Sequence, residues 1–363
     1  MDIVVLSHLR WDFVFQRPQH LMGRAARRHR VLFVEEPMVG DSFGLERCEV
    51  SATLTVARPT IPEGTSSADA DGFVAGALRE AVEGWRRGEL VVWHYSVMAE
   101  RLSRELGADV TVFDCMDELS AFHGAPADIV DRERDLLARA DLVFTGGHSL
   151  WEAKRALHAS VHLFPSCVDV QHFAAARNEQ PQPAALDGIP HPRLVYAGVI
   201  DERLDLGLLA RLASAGAGEL VLIGPVAKID PADLPDGPRI HRLGMQPYDL
   251  LPALFAHCDL ALMPFALNAA TRFLSPTKTP EYLAAGLPVV TTAITDVVRG
   301  YGDLDMVRIA GDADAFVAAC SDALSRPRHL AEVDERIASM SWDTTWEAME
   351  RLVQAVLGQP RAA

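Results

Sequence analysis

The chain has 363 residues, of which 49% are hydrophobic and 23% are charged. At roughly 150 residues per domain, this length predicts about two globular domains, and the composition excludes collagen-like, coiled-coil and disordered chains. Fifty acidic residues against 34 basic ones give a formal net charge of −16. This charge argues against general nucleic-acid binding, which depends on neutralising phosphates.

The sequence predicts no membrane span and no signal peptide. The longest apolar stretches, 260–265 and 282–290, are shorter than the roughly 18 residues that a span requires, and proline or glycine interrupts them. At the N-terminus, Asp2 precedes only four apolar residues, without the basic region of a signal peptide. We therefore expect a cytoplasmic protein.

Five cysteines are widely spaced and form no C-x-x-C pair. An odd number without such spacing favours buried free thiols over a disulfide framework or a zinc site. The cysteines are Cys48, Cys115, Cys167, Cys258 and Cys320.

In the first half of the chain, short uncharged runs of apolar and β-branched residues alternate with helical patterns. Such runs are typical of buried parallel strands, and the alternation predicts an α/β domain with a doubly wound sheet. The predicted strands are 3–6, 31–34, 90–93, 110–113, 142–145 and 161–164, and the predicted helices are 19–28, 97–106, 127–138 and 149–157. The stretch 40–72 is interpreted as variable loops that shape a ligand pocket, and its segment 59–64 as irregular and mobile.

Proline-rich polar sequence then interrupts the pattern, which predicts a linker at 172–189. The alternation restarts in a second α/β domain at 190–340. Its predicted strands are 194–197, 220–223, 240–243, 260–263 and 289–292, and its predicted helices are 206–215, 250–256 and 277–285. No strand follows the last predicted helix, 344–357. We therefore expect this helix to pack back on the first domain, which would comprise 1–171 and about 341–363.

Polar residues follow four of the predicted strands, in the segments 7–12, 114–118, 146–149 and 198–203. Ligands of open parallel sheets bind beyond the carboxyl ends of the strands, so these segments predict a site in a crevice between the domains. No G-x-G-x-x-G or P-loop motif occurs, which argues against a dehydrogenase or a P-loop NTPase. At Ser275-Pro-Thr-Lys278 a turn enters a helix, and its free N–H groups and lysine could hold a diphosphate. An ordinary capped helix with a solvated lysine is the alternative.

The segment Lys278-Thr-Pro-Glu-Tyr-Leu-Ala-Ala-Gly-Leu-Pro-Val-Val resembles the donor-site helix of GT-B glycosyltransferases, especially the family 4-like enzymes. The segments 11–20, 113–118 and 165–173 are similar to a bacterial subgroup that includes the teichuronic-acid biosynthesis type. The resemblance implies two Rossmann-like domains that close around a nucleoside-diphosphate sugar, most simply a UDP-sugar. It also implies transfer of a hexose-type sugar to an acceptor held by the first domain.

Within this resemblance, Glu281 matches the glutamate that accepts hydrogen bonds from the ribose hydroxyls, and we expect it to be partly open to solvent. Gly198 and Arg203 fall in the loop that contacts the diphosphate. The remaining donor-side candidates are Gly244, Met245, Arg272, Ser275, Thr277 and Lys278. Phe273 occupies the place of the first glutamate of the family's E-x7-E pattern, which leaves the contacts to the sugar and the retaining stereochemistry open. Arg203 and Lys278 supply cationic charge, so no metal or other cofactor is expected.

An inverting mechanism would require a group that accepts the proton of the acceptor hydroxyl. Asp117 is the first candidate, followed by Asp12 and His8, although Asp114 or Asp117 could instead cap a helix or hold a loop. The expected acceptor-side residues are Arg10, Trp11, Glu118, Gly146 and Gly147.

The acceptor could be a small molecule, a glycan or a lipid-linked compound of glycan, glycolipid or secondary-metabolite biosynthesis. Arginines between Arg24 and Arg30 could make weak peripheral contact with the inner face of a membrane, or could simply solvate a helix end. A nucleotide-sugar epimerase or hydrolase on the same fold, and a non-catalytic GT-B partner subunit, remain alternative functions.

Overall fold

A computed structural model of the chain describes residues 1–359. The chain divides into two compact units. The first comprises Met1–Pro165 together with the C-terminal segment that begins at Asp343, and the second is Ser166–Trp342. Both units are α/β and are built on predominantly parallel sheets.

The sheet of the first unit runs in the order β3-β5-β2-β1-β6-β7-β8-β9, and β4 pairs antiparallel with β5. In its centre, Ile3 lies opposite Val31 on one side and Val91 on the other, and all three are buried. Both faces of these central strands are covered, which explains their continuous apolar runs. The strands are β1 (Asp2–Ser7), β2 (Arg30–Glu35), β3 (Met38–Gly40), β4 (Gly44–Ser51), β5 (Leu54–Pro62), β6 (Leu90–His94), β7 (Val110–Cys115), β8 (Leu142–Thr145) and β9 (Val161–Leu163).

The helices that precede the second unit are α1 (Arg17–Ala25), α2 (Ser67–Trp85), α3 (Ile129–Arg139) and α4 (His148–Lys154). The Ser66 hydroxyl caps α2 by accepting a hydrogen bond from the Asp69 backbone N–H. From α2, Val74, Leu78 and Val82 pack into the core that also contains residues of β1, β2 and β6.

Two segments of the first unit differ from the prediction. The stretch 40–72 does not consist of loops, since β4, β5 and the start of α2 occupy most of it, and residues 59–62 of the segment expected to be irregular belong to β5. Pro62 is the last residue of that strand, where a missing N–H costs little. The predicted helix 97–106 is instead two short 3₁₀ turns, Val97–Ala99 and Arg101–Ser103.

The second unit carries a parallel sheet in the order β12-β11-β10-β13-β14-β15. Numbered within the unit, this order is 3-2-1-4-5-6, that of a Rossmann sheet, and the order reverses between β10 and β13. The strands are β10 (Arg193–Ala197), β11 (Glu219–Ile223), β12 (Ile240–Gly244), β13 (Leu260–Met263), β14 (Val289–Thr292) and β15 (Val307–Ala310). The helices are α5 (Val170–Ala174), α6 (Leu206–Ala215), α7 (Leu251–Ala256), α8 (Lys278–Ala284), α9 (Thr295–Tyr301), α10 (Ala313–Ser325) and α11 (Leu330–Ile337).

The boundary between the units falls at Pro165 and Ser166, ahead of the predicted linker at 172–189. The predicted linker contributes to the core of the second unit through Phe173, Leu186 and Ile189, all of which are buried there. It contains the end of a short helix and two 3₁₀ turns, Ala175–Arg177 and Ala184–Leu186.

The last helix, α12 (Trp342–Leu357), packs on the first unit from Asp343 onward. The ring of Trp346 lies 5.9 Å from that of Trp93, and both are buried. This packing supplies the core contact expected of a terminal helix that has no strand of its own.

Acidic residues of α12 and β1 pair with the arginines between Arg24 and Arg30. The ion pairs are Arg24–Asp343 at 2.9 Å, Arg27–Asp343 at 2.6 Å, Arg28–Glu350 at 2.5 Å and Arg30–Asp2 at 2.9 Å. They offset the positive charge on which the predicted membrane contact depends. Within residues 1–359, no helix is both long enough and apolar enough to cross a bilayer. Of the five cysteines, Cys48 is exposed rather than buried, and the other four are buried free thiols as expected.

A buried histidine gives the first unit a pH-dependent stability. Burial lowers the pKa of His94 to about 4, and the nearby Arg139 guanidinium adds to this lowering. Below the ordinary histidine pKa of 6.5, the unfolded chain binds a proton that the folded chain does not. The free energy of unfolding therefore decreases as the pH is lowered from 7 toward 4. We expect His94 to account for a loss of about 2 kcal/mol between pH 7 and pH 5. Urea unfolding at both pH values should show a smaller loss in His94→Leu, and an equal loss would contradict this account.

Candidate functional site

Three glycines stand at the carboxyl ends of neighbouring strands in the second unit. Gly198 follows β10, Gly224 follows β11, and Gly244 is the last residue of β12. A Cβ on Gly224 would lie 1.9 Å from the carbonyl oxygen of Gly198, so only glycine allows the two backbones to approach this closely. These three strand ends, which we call the glycine edge, therefore present backbone without side chains beside the reversal of strand order. A phosphate group that binds close to the backbone requires such an edge.

The sequence patterns predicted Gly198 and Gly244 as site residues but not Gly224. The signal was present, because Gly224-Pro225 directly follows a buried apolar run, as Gly198 does. The Gly224 N–H donates to the Gly244 carbonyl at 2.8 Å, and the Gly198 N–H donates to the Ile223 carbonyl at 2.8 Å. These bonds hold the three strand ends together.

Lys278 and Glu281 form an ion pair at the start of α8, with 2.9 Å between Nζ and Oε2. The Cβ position of Gly198 lies 3.5 Å from Cε of Lys278, so the lysine borders the glycine edge. Glu281 is 2% exposed, which corrects the expectation that it is partly open to solvent. Because its carboxylate offsets a largely buried lysine, Glu281 also contributes to folding.

Arg203 lies in the loop after β10 and is held by Asp201 of the same loop. Its guanidinium donates to both carboxylate oxygens, at 2.9 Å from Nε and 2.7 Å from Nη2. Asp201 is buried, whereas the Arg203 side chain is 20% exposed. The backbone of Arg203 accepts a hydrogen bond from Ala266 N–H, which joins this loop to the segment that precedes α8.

The other donor-side candidates are distributed around this edge. Ser275 and Thr277 are half-buried directly before α8, and the Glu281 N–H donates to the Thr277 carbonyl at 3.2 Å. Arg272 is exposed, with its guanidinium carbon 5.2 Å from the centre of the Phe273 ring. Met245 is 53% exposed after β12.

In the first unit, His8, Asp117 and Glu118 line a single pocket. The pocket lies at the carboxyl ends of β1, β6 and β7, where the strand order of this sheet also reverses. His8 Nδ1 lies 3.2 Å from the Tyr95 carbonyl oxygen, and Nδ1 carries the proton in this contact because a carbonyl only accepts. The structure thus brings together two of the three catalytic candidates.

The third catalytic candidate, Asp12, does not line this pocket. Its side chain is 68% exposed and forms an ion pair with Arg58. Arg10 and Trp11 instead gather at the buried Glu35, which accepts hydrogen bonds from the Arg10 guanidinium at 3.2 Å and from the Trp11 N–H at 2.8 Å. These contacts indicate that Arg10 and Trp11 hold the loop after β1.

The remaining acceptor-side candidates have structural contacts. Glu118 accepts a hydrogen bond from Lys154 Nζ at 2.7 Å. A Cβ on Gly146 would lie 3.3 Å from the Cα atom of Met116, so this glycine allows β8 to approach the loop before Asp117. Gly147 precedes α4 in extended backbone.

A buried ion pair that the sequence patterns did not predict joins α1 to β7. Arg17, the first residue of α1, donates to both carboxylate oxygens of Asp114, and both side chains are at most 3% exposed. Arg17 also donates to the Phe164 carbonyl at 2.8 Å. The pair supports the alternative reading of Asp114 as a residue that holds the structure. Its partners are far apart in the chain, so no local pattern predicts it.

Among the described residues, one group of three side chains is close enough together to bind a metal ion. The ligand atoms of Asp305, His329 and Glu332 lie within 4.8 Å of one another, and all three residues are exposed. None of the predicted donor or acceptor residues belongs to this group.

Comparison with known proteins finds a family match within the second unit. Residues 192–326 match the family model described as glycosyl transferases group 1. This segment contains the glycine edge, Arg203, Lys278 and Glu281. No curated protein sequence matches the chain significantly.

Solved structures with the same fold cover nearly the whole chain. Sucrose-phosphate synthase from Thermosynechococcus elongatus is 16% identical over 98% of both chains, with a TM-score of 0.72. The E. coli trehalose-6-phosphate protein with bound UDP-2-fluoro glucose is 14% identical over 99% of this chain and 100% of its own, with a TM-score of 0.67. A UDP-forming α,α-trehalose-phosphate synthase from Burkholderia xenovorans, in complex with glucose-6-phosphate, is 13% identical over 97% and 99% of the two chains, with a TM-score of 0.68. The comparisons support a glycosyltransferase enzyme with the GT-B fold, and residues 192–326 of its second unit match the group 1 family model.

Proposed function

We propose that this protein transfers a sugar from a UDP-sugar, bound by the second unit, to a small acceptor bound by the first. The observation that carries the proposal is the Lys278–Glu281 pair beside the glycine edge, within the segment that matches group 1 glycosyltransferases. Two carboxylate oxygens can accept hydrogen bonds from both hydroxyls of a ribose, and a lysine can bind a diphosphate. Glu281 thus binds the nucleoside and Lys278 the diphosphate.

Arg203 supplies the second positive charge for the leaving diphosphate. Asp201 fixes its guanidinium in one orientation through two hydrogen bonds. A donor that is already oriented stabilises developing charge without reorganising during the reaction. Arg203 and Lys278 together offset the charge of the departing UDP, so we propose a reaction that needs no metal ion.

The ligands of the structural neighbours favour a uridine nucleotide and a small acceptor. The E. coli protein binds UDP-2-fluoro glucose, and the Burkholderia enzyme binds glucose-6-phosphate. The motifs at 11–20, 113–118 and 165–173 favour membership of the teichuronic-acid type of subgroup within this class. We propose a role for this transfer in glycan, glycolipid or secondary-metabolite biosynthesis.

A nucleotide screen by thermal unfolding tests this proposal. We expect UDP to raise the Tm in proportion to the logarithm of its concentration once binding saturates, and GDP and ADP to raise it less. A ligand at 100 times its Kd stabilises the folded state by about 2.7 kcal/mol. If none of the three nucleotides raises the Tm, the donor assignment is wrong.

A further inference from the structure

The pocket of the first unit combines an apolar wall with carboxylates. Val97, Phe113, Met116, Leu119 and Ile129 supply apolar surface. The polar lining consists of His8, Tyr95, Cys115, Asp117, Glu118, Ser120 and Glu133. Neither lysine nor arginine occurs among the residues found to line this pocket in the described part of the chain.

The lysine that contacts two of the lining carboxylates is already engaged. Lys154 is 3% exposed, and its Nζ lies 2.7 Å from Glu118 and 2.6 Å from Glu133. Burial raises the pKa of Glu133, and the Lys154 ammonium opposes this effect. Lys154 therefore supplies one positive charge to two carboxylates, and it has no charge left to offset Asp117.

This lining is unsuited to an anionic acceptor. Binding a phosphate or carboxylate group requires positively charged side chains or converging N–H donors, and here the group would meet carboxylates in a partly apolar, low-dielectric surrounding. An apolar ring would instead pack on the wall formed by Phe113, Met116 and Leu119. A hydroxyl or an amino group could donate a hydrogen bond to Asp117.

Resting on the glycosyltransferase function proposed above, we propose that the pocket selects an acceptor with an apolar body and no negative charge. An amino group on the acceptor strengthens its binding through Asp117. The sugar is transferred to a hydroxyl of this acceptor: the hydroxyl proton passes to the Asp117 carboxylate as the new C–O bond forms, and the bond between the sugar and UDP breaks to release UDP. A sugar phosphate is thereby excluded as the group that occupies this pocket.

Three phenyl glycosides that differ in one group test the selection. The probes are phenyl β-D-glucoside, phenyl β-D-glucuronide and phenyl 2-amino-2-deoxy-β-D-glucoside, titrated by calorimetry into the UDP-saturated protein. We expect the amino compound to bind at least as tightly as the glucoside, and the glucuronide to bind at least about tenfold more weakly, because only the glucuronide is repelled. Equal or tighter binding of the glucuronide, or binding of none of the three at millimolar concentration, would overturn the proposal.

A charge-neutral variant then assigns the effect to the pocket. Asp117→Asn should narrow the difference in Kd between the glucoside and the glucuronide. Asp131→Asn, at an exposed position on α3, should leave that difference unchanged. An unchanged difference in Asp117→Asn would contradict the assignment. UDP affinity is measured in the same samples. A protein that does not bind UDP would contradict the proposed donor function. Tight binding of the glucuronide by a protein with normal UDP affinity would contradict only the proposed acceptor class.

Discussion

Replacing Asp117 with asparagine is expected to lower the turnover of sugar transfer by roughly 10²–10⁴-fold, the range of general-base catalysis. Asp117 lines the same pocket as His8, beside the apolar wall proposed to hold the acceptor. Asparagine has nearly the same shape but cannot accept a proton from the acceptor hydroxyl. Because Asp117 belongs to the first unit, UDP affinity should not change. Initial rates of UDP release and the Kd of UDP are the two measurements.

The matched control is Asp131→Asn, which makes the same chemical change on an exposed residue of α3 and should keep normal turnover. If Asp117→Asn transfers sugar at the normal rate, Asp117 is not the base. A large loss in His8→Gln would then assign the role to His8, which lines the same pocket. If the product retains the anomeric configuration of the donor in a single step, no such base is required and a retaining mechanism replaces this account.

Replacing Arg17 with methionine is expected to reduce the free energy of unfolding by about 3–5 kcal/mol, because it leaves the Asp114 carboxylate buried without its partner. Asp114 is 0% exposed and accepts three hydrogen bonds from the Arg17 guanidinium. The hydrogen bond from Arg17 to the Phe164 carbonyl is lost as well. Urea unfolding of the variant measures the effect.

Arg27→Met is the control, because Arg27 is 64% exposed and its ion pair with Asp343 should contribute at most about 1 kcal/mol. The double variant Arg17→Met, Asp114→Asn should be more stable than Arg17→Met alone, since it removes the uncompensated charge. A single variant that unfolds like the wild type, or a double variant that is less stable still, would contradict the role of this pair.

Most strands could be predicted because the sheets are covered on both faces. The predicted runs at 142–145, 260–263 and 289–292 coincide with β8, β13 and β14. Because every residue of these strands is buried, no charged residue interrupts the apolar run, and the ends of the run mark the ends of the strand. β15 was missed because Arg308 interrupts its apolar run, and this residue pairs with Asp322 instead of entering the core. α2 was missed because Gly72, Gly76 and Gly84 weaken its helical pattern.

The candidate site could be predicted only where its residues are close in sequence. Lys278 and Glu281 stand three positions apart in one motif, so their proximity follows from helix geometry. The ion pairs of Lys154 with Glu118 and Glu133 join residues from three separate segments and depend on the order of the strands. The pocket and its charge balance therefore became visible only in the folded chain.

The central claim is that Glu281 of the second unit binds the ribose of a UDP-sugar. Calorimetric titration of UDP into the wild type, Glu281→Gln and Glu332→Gln tests it most directly. Glutamine keeps the packing beside Lys278, and Glu332 is an exposed glutamate of α11 in the same unit. The account predicts that Glu281→Gln weakens UDP binding by about 1.5–3 kcal/mol, the value of hydrogen bonds to a charged group, and that Glu332→Gln binds UDP normally. An unchanged Kd in folded Glu281→Gln would contradict the account.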